Sequence, residues 1–407
     1  MNSANSNSSI RMGVDMRRES SSQTGLGQRR LRVAVLNRIF SPTGGGAERY
    51  SIALVEQLAM RHDIHVFAQS ITHHIPGVTF HTISTSPIIL RWLNQVWYAN
   101  ATWRATRHGF DVTHSHENVW RGEVQTVHVL PTGYKLFHGV TPWKRILRYL
   151  KVATSPRLIT YLLLERARCS PGRTRRVVAT SEVLRDQIAS AYPSASATMR
   201  VVTPGVNMPT EVATPKRRLE ARKQLGLPQT GRGILFVGND YAKKGLNTLL
   251  KALAKFNHNT WLAVVGNNAN IAEFQRHAQQ EGVLDRVHFL GSLQNINTAY
   301  AAVDCLAHPT LEDTFAMVVV EAMAHAIPVV VSDRNYCGIS GLLAHESNAL
   351  LLKDPRDPDA LHAALARVLD NDSLRQALCA AAVQFASGYQ WSTIARLQEK
   401  IYFEVAP

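Results

Sequence analysis

From Leu31 onward, short β-branched runs alternate with helical patterns, in two series separated by a charged stretch with three prolines. Such alternation is satisfied by parallel sheets covered by helices on both faces. The first series predicts strands over 32–36, 64–68, 78–82, 111–114, 124–127, 176–179 and 200–203. The second predicts 233–237, 261–265, 286–290, 303–307, 327–331 and 349–352. Between them, "VNMPTEVATPKRRLEARKQLGLPQTGRG" reads as a linker plus one surface helix. The expected fold is α/β, with two doubly wound Rossmann-like domains over 31–208 and 209–385 facing a central cleft. A C-terminal helix within 386–407 is expected to pack back towards the first domain. Ligands of such sheets sit outside the carboxyl ends of the strands, so chemistry is sought in the loops there.

Charge and cysteine usage narrow the partners. A formal net charge of +15 calls for an acidic partner. Residues 1–30 are rich in Ser, Asn, Gln and Arg, lack an apolar stretch and read as a disordered leader. No uncharged apolar run approaches the roughly 20 residues that span a bilayer. The four cysteines lie far apart without a CxxC pair, which points to a reducing compartment and away from disulfides or structural zinc.

Three strand-end loops stand out. In "SPTGGGAER", Gly44 to Gly46 precede an amphipathic helix, where glycines permit close approach and a helix N-terminus offers N–H groups to an anion. The full GxGxxG spacing is absent, so a turn that binds nothing reads equally from these residues. In "VGNDYAKKGL", Lys243 and Lys244 open a helix against its dipole, a conflict that a bound anion resolves and a solvated pair merely tolerates. In "EDTFAMVVVEAMA", Asp313 and Glu321 lie eight positions apart, about 12 Å if the interval is helical. That is too far for an acid and base on one bond. It suits two grips on a sugar–diphosphate–ribose ligand, with the N–H groups of Thr314, Phe315 and Ala316 between them. The plainer alternative is that Asp313 caps the helix and Glu321 is solvated.

Together with "DVTHSH", "VQTVH" and "VVTPGVN", these motifs on a two-domain plan resemble the retaining glycosyltransferases of family 4, which have the GT-B fold. Within that family the chain is most similar to the lipopolysaccharide core glucosyltransferases, and the resemblance covers nearly all of it after Leu31. It implies transfer of a hexose, expected to be glucose, from a nucleotide sugar, expected to be a UDP-sugar, to a lipid-linked or lipopolysaccharide-core saccharide. No metal or other cofactor is expected. Carried over by position, Glu321 binds the ribose, and Asp313, where the family has Glu, binds the transferred sugar. Lys244 neutralises the departing diphosphate, with Lys243 standing in for an Arg that the family places at Asn239. Gly45 and Gly46 let the N-terminal domain close on the phosphates, and His128 contacts the donor sugar near the reacting carbon. The implied catalytic set is His128, Lys244 and Asp313. No third acid stands out for a double displacement, so the resemblance favours front-face substitution.

The acceptor side is read from charge. Between Lys135 and Arg176 there are eleven Lys and Arg against the single acid Glu165. Within it, "WKRILRYLK" sets Trp143, Ile146, Leu147 and Leu150 in one apolar row, beside Lys144, Arg145, Arg148 and Lys151. This predicts an anionic membrane surface as partner and a peripheral cytoplasmic location on the inner face of the membrane. A helix packed on its domain with a charged outer face is the commoner fate of such a pattern. An epimerase of the same fold and a polyanion-binding protein remain alternatives. Nucleic acid is not expected, because aromatics do not interleave with the basic residues. His114 and His116 lack a third metal ligand and read as cleft-lining or structural. Asp357 with Asp359, and Asp370 with Asp372, read as solvated.

Overall fold

A computed structural model of the chain describes residues 29–407 except 43, 88–89, 211–213 and 268–270. The leader expected over 1–30 therefore lies outside the described residues save for Arg29 and Arg30, as do residues 211–213 of the linker. Arg29 is tied down, its guanidinium donating to Asp111 Oδ1 at 2.7 Å and to the Pro407 carbonyl at 2.9 Å.

The N-terminal domain holds a sheet of seven strands: β1 (Arg32–Leu36), β3 (Asp63–Ala68), β5 (Val78–Thr82), β6 (Val112–Ser115), β7 (Val124–Val127), β8 (Arg176–Ala179) and β9 (Met199–Val201). Two further strands of two residues each, β2 (Ile39–Phe40) and β4 (Ser70–Ile71), pair in parallel beside it. Strands so short carry no periodicity, which is why sequence patterns miss them. The C-terminal domain holds six strands: β10 (Arg232–Val237), β11 (Thr260–Val265), β12 (Val287–Gly291), β13 (Cys305–His308), β14 (Val329–Ser332) and β15 (Leu350–Leu352). Both sheets pair in parallel throughout. Central strands such as β11 and β13 are buried at every residue, as continuous apolar runs covered on both faces must be.

The strand orders place the site. The first sheet runs β5-β3-β1-β6-β7-β8-β9 and the second β12-β11-β10-β13-β14-β15. Each order reverses once, between β1 and β6 and between β10 and β13. A crevice opens at the carboxyl ends beside each reversal. The chain passes between the domains twice, side by side: Val206 pairs with Gln390, and a Cβ at Gly205 would lie 2.7 Å from the Trp391 ring. The last helix, Trp391–Val405, then packs on the N-terminal domain, where Trp391, Ile394 and Ile401 share a core with Tyr50, Val55 and Leu58. Its buried Glu399 accepts from Arg61 Nε at 2.9 Å and lies 2.8 Å from His62 Nε2.

Candidate active site

The glycine loop after β1 leads into the helix Gly46–Leu58, with Gly45 as its N-cap. A side chain at Gly44 would meet Glu48 at 2.8 Å, so this glycine is needed by the loop's own tightness. Gly46 has a different neighbour: a Cβ there would lie 3.8 Å from Met317 Sδ of the C-terminal domain. Here the two domains nearly touch. One turn further on, the Arg49 guanidinium donates to Glu321 Oε1, while Tyr300 Oη donates to Glu321 Oε2 at 2.8 Å. Glu321 is thus not solvated; its side chain is 12% exposed and holds two partners, one from each domain. Arg49 was in plain sight in "GGGAER", but nothing in that string indicates a partner 272 positions away. A cavity of about 350 Å³ opens beside this pair, lined by Pro42, Arg49, Met317, Glu321, His325 and Trp391 among others.

The loops after β10 and β13 meet at the second reversal. Lys244 Nζ lies 2.5 Å from Asp313 Oδ2, and Lys243 Nζ lies 2.6 Å from Glu312 Oε1. The anions that relieve the lysine pair are therefore side chains of the protein. Gly238 makes room for the Lys244 stem, since a Cβ there would come within 2.8 Å of Lys244 Cγ. His308 Nε2 is 3.3 Å from Asp313 Oδ2. Burial pushes the Asp313 carboxyl up, but Lys244 and the His308 hydrogen bond outweigh it and hold the group well below the usual carboxylate range. It stays ionised at any physiological pH.

Two expectations for this segment need correction. The interval from Asp313 to Glu321 is not continuous helix: the helix runs only over Met317–Ala324, and Ala316 before it is left-handed at φ 72°. A simple helical rise therefore does not give the spacing of the two carboxylates. Of the N–H groups of Thr314, Phe315 and Ala316, expected to face a diphosphate, those of Phe315 and Ala316 instead donate to Asp313 Oδ1 at 3.1 and 2.8 Å. Asp313 thus ties down the turn that precedes the helix, rather than capping the helix itself, and carries a charge into the cleft at once. A non-glycine residue in the left-handed region stores strain, which clusters at functional sites.

His128 follows β7 on the N-terminal side. Its Nε2 lies 2.9 Å from His116 Nδ1, and the Tyr50 ring stands edge-on at 4.9 Å. Burial, then Arg168 and His114, lower its pKa to about 3, so the imidazole is neutral. His114 is structural: its ring nitrogens lie 2.6 Å from Tyr402 Oη and 2.7 Å from Thr126 Oγ1. Among the described residues no cluster of three or more His, Cys, Asp or Glu could hold a metal. Asp357 caps its helix through the Asp359 and Ala360 amides.

The basic row falls on the helix Pro142–Ala153, none of whose residues is buried. Trp143 and Ile146 are 60% and 62% exposed, and Leu147 and Leu150 are exposed beside them. The packed-helix alternative does not describe it. Two of its cations tie it to the preceding helix, Thr132–Phe137: Arg145 donates to the Phe137 carbonyl and Arg148 to those of Lys135 and Leu136, while Lys144 stands over the Trp143 ring. No helix among the described residues is long and apolar enough to cross a membrane.

Two parallel-sheet α/β domains facing across a cleft, with strand-end loops from both converging on it, define the GT-B class of glycosyltransferases. Residues 44–208 match the family described as "Glycosyltransferase Family 4", and residues 217–385 match "Glycosyl transferases group 1". The chain thus carries a glycosyltransferase family 4-like domain followed by a glycosyl transferases group 1 domain. It is 25% identical over 223 residues to the lipopolysaccharide glucosyltransferase WaaG of Escherichia coli, covering 53% of this chain and 59% of that protein. It is 31% identical over 250 residues to a D-inositol 3-phosphate glycosyltransferase of Corynebacterium aurimucosum, covering 56% of each. The chain thus spans little more than half the length of the curated relatives it matches. Among solved structures, WaaG superposes with a TM-score of 0.78 at 21% identity, over 91% of this chain and 99% of that one. HepE of Anabaena in complex with UDP and glucose superposes with a TM-score of 0.71 at 18% identity, over 91% and 98%.

Proposed function

We propose that the protein transfers a hexose, glucose in the first instance, from a UDP-sugar to a saccharide acceptor of the lipopolysaccharide-core or lipid-linked type, with retention and without a metal. The observation that carries this reading is the convergence of Lys244, Asp313 and Glu321 at the carboxyl ends of one sheet, opposite the glycine loop and His128 of the other. In the proposed step, the bond from the anomeric carbon to the diphosphate breaks and the acceptor oxygen bonds on the same face. The acceptor's proton passes to an oxygen of the departing diphosphate. The protein's part is electrostatic: Lys244 faces charge developing on the diphosphate, with Lys243 beside it. Asp313 and Glu321 take the sugar and ribose hydroxyls, and Glu321 exchanges a protein partner for the ribose when the nucleotide binds. WaaG's name as a lipopolysaccharide glucosyltransferase and HepE's complex with UDP and glucose support the choice of donor and acceptor class.

Thermal shift with UDP-, GDP- and ADP-glucose tests this directly. UDP-glucose at a hundredfold over its dissociation constant is expected to stabilise the protein by about 2.7 kcal/mol. The reading fails if no nucleotide sugar raises the melting temperature. Labelled UDP-glucose that yields an isomerised nucleotide sugar with no acceptor product points to an epimerase instead.

The acceptor is proposed to be met at an anionic membrane surface through the helix Pro142–Ala153. Its apolar row of Trp143, Ile146, Leu147 and Leu150 is open to solvent, with Lys144 and Lys151 at its margins. Vesicles containing phosphatidylglycerol are expected to float the protein at low salt, and Trp143→Glu with Ile146→Glu to abolish flotation. Wild-type protein that stays at the bottom of the gradient removes this part of the proposal.

A further inference from the structure

Three successive residues after β13 make contacts that reach well beyond their own turn, and the middle one is Asp313. Before it, Glu312 Oε1 lies 2.6 Å from Lys243 Nζ and 3.6 Å from Lys135 Nζ, which the helix Thr132–Phe137 presents from the N-terminal domain. After it, Thr314 Oγ1 donates to the main-chain carbonyl of His128 at 2.7 Å. The Thr314 carbonyl accepts from Ser181 Oγ, also at 2.7 Å, and Ser181 caps the helix Glu182–Ala191 directly behind β8. Space for this second bond depends on Gly338, where a Cβ would stand 2.0 Å from the Thr314 carbonyl oxygen.

The Thr314 hydroxyl is not required by its own turn. Asp313 Oδ1 already takes the Phe315 and Ala316 amides, and the Phe315 carbonyl accepts from Ile339 N at 3.0 Å. The hydroxyl reaches instead across the cleft, to the backbone of the residue whose imidazole meets the Tyr50 ring edge-on. Two bonds of ordinary length, one on the hydroxyl and one on the carbonyl of a single residue, fix the turn against two separate strand ends of the opposite domain.

We propose that Thr314 is a positioning residue that links closure of the cleft to the placement of His128 against Asp313. This rests on the reading of His128 and Asp313 as contacts to the donor sugar. When the domains are together, the hydroxyl holds the His128 loop one residue away from the sugar-binding carboxylate. When they part, both bonds open and the imidazole and the carboxylate separate as a pair. Nucleotide capture by Lys244 and Glu321 does not pass through this residue, so transfer and nucleotide affinity are expected to respond differently to its loss.

The test compares Thr314→Val, which keeps the shape and removes the donor, with Thr314→Ser, which keeps the donor. UDP release from UDP-glucose gives turnover, calorimetry gives UDP affinity, and amide hydrogen exchange over 124–135 gives the order of the His128 loop. Thr314→Val is expected to lower kcat by on the order of 10²-fold, as a misplaced reacting group does. UDP affinity and melting temperature stay at wild-type values, and exchange over 124–135 quickens. Thr314→Ser restores both turnover and protection. Wild-type turnover in Thr314→Val overturns the inference alone. If wild-type protein releases no UDP at all, the transfer reading is what fails, and hydrogen exchange decides the link: unchanged protection in Thr314→Val overturns it.

Discussion

Lys244→Ala is expected to lower turnover with UDP-glucose by on the order of 10²- to 10³-fold, equivalent to about 3–4 kcal/mol of transition-state stabilisation. The reason is geometric. Lys244 stands between the loops that follow β10 and β13, with its stem over Gly238 and its ammonium on Asp313. A diphosphate entering there meets a cation already positioned, so little reorganisation accompanies the growth of negative charge on the leaving oxygens. Asp313 keeps its His308 contact and its two backbone donors in the variant, so the fold is expected to persist. Steady-state UDP release, together with circular dichroism and a melting curve, checks both halves of this expectation. Near-normal turnover in a folded variant removes Lys244 from the mechanism.

Gly245→Ala is expected to act on the same corner through the backbone. Gly245 sits at φ 82°, where an L side chain costs about 1–2 kcal/mol. A Cβ there would also lie 1.9 Å from the Pro309 carbonyl oxygen, which is main chain and cannot rotate away. Overpacking of that kind adds about 1–3 kcal/mol. The total is of the order of 2–5 kcal/mol, and relief requires the β10 and β13 loops to separate. That motion draws Lys244 from Asp313, so loss of turnover is expected even in the fraction that remains folded. Chemical denaturation measures the first effect and UDP release the second. A variant with the wild-type midpoint contradicts the close approach of these two loops.

The fold was legible in the chain because its determinants are local and repeated. The observed bounds of β1, β5, β7 and β8 coincide with the β-branched runs, both in β7, which is buried at every residue, and in the edge strand β5, which is buried at none. Strand ends elsewhere moved by only a residue or two, as at β3, β10 and β13, where hydrogen bonding and hydrophobicity stop at different places. Of the candidate site, the strand-end glycines, the lysine pair and the two carboxylates could be picked out from the residues. Their partners could not. Arg49 on Glu321, Lys135 near Glu312 and Thr314 on His128 join residues more than 170 positions apart.

By itself, then, the sequence determined which segments form the two main sheets, that those sheets are parallel, and which loops border the crevice, because burial and periodicity act over a few residues at a time. Only the tertiary structure decided which charges face each other, that Asp313 both holds the turn before its helix and pairs with Lys244, and that Ala316 is left-handed. The contacts of Asp313 depend on how the loops after β10 and β13 pack on each other, and that of Arg49 with Glu321 on the angle at which two separately packed domains meet, and no local pattern encodes either.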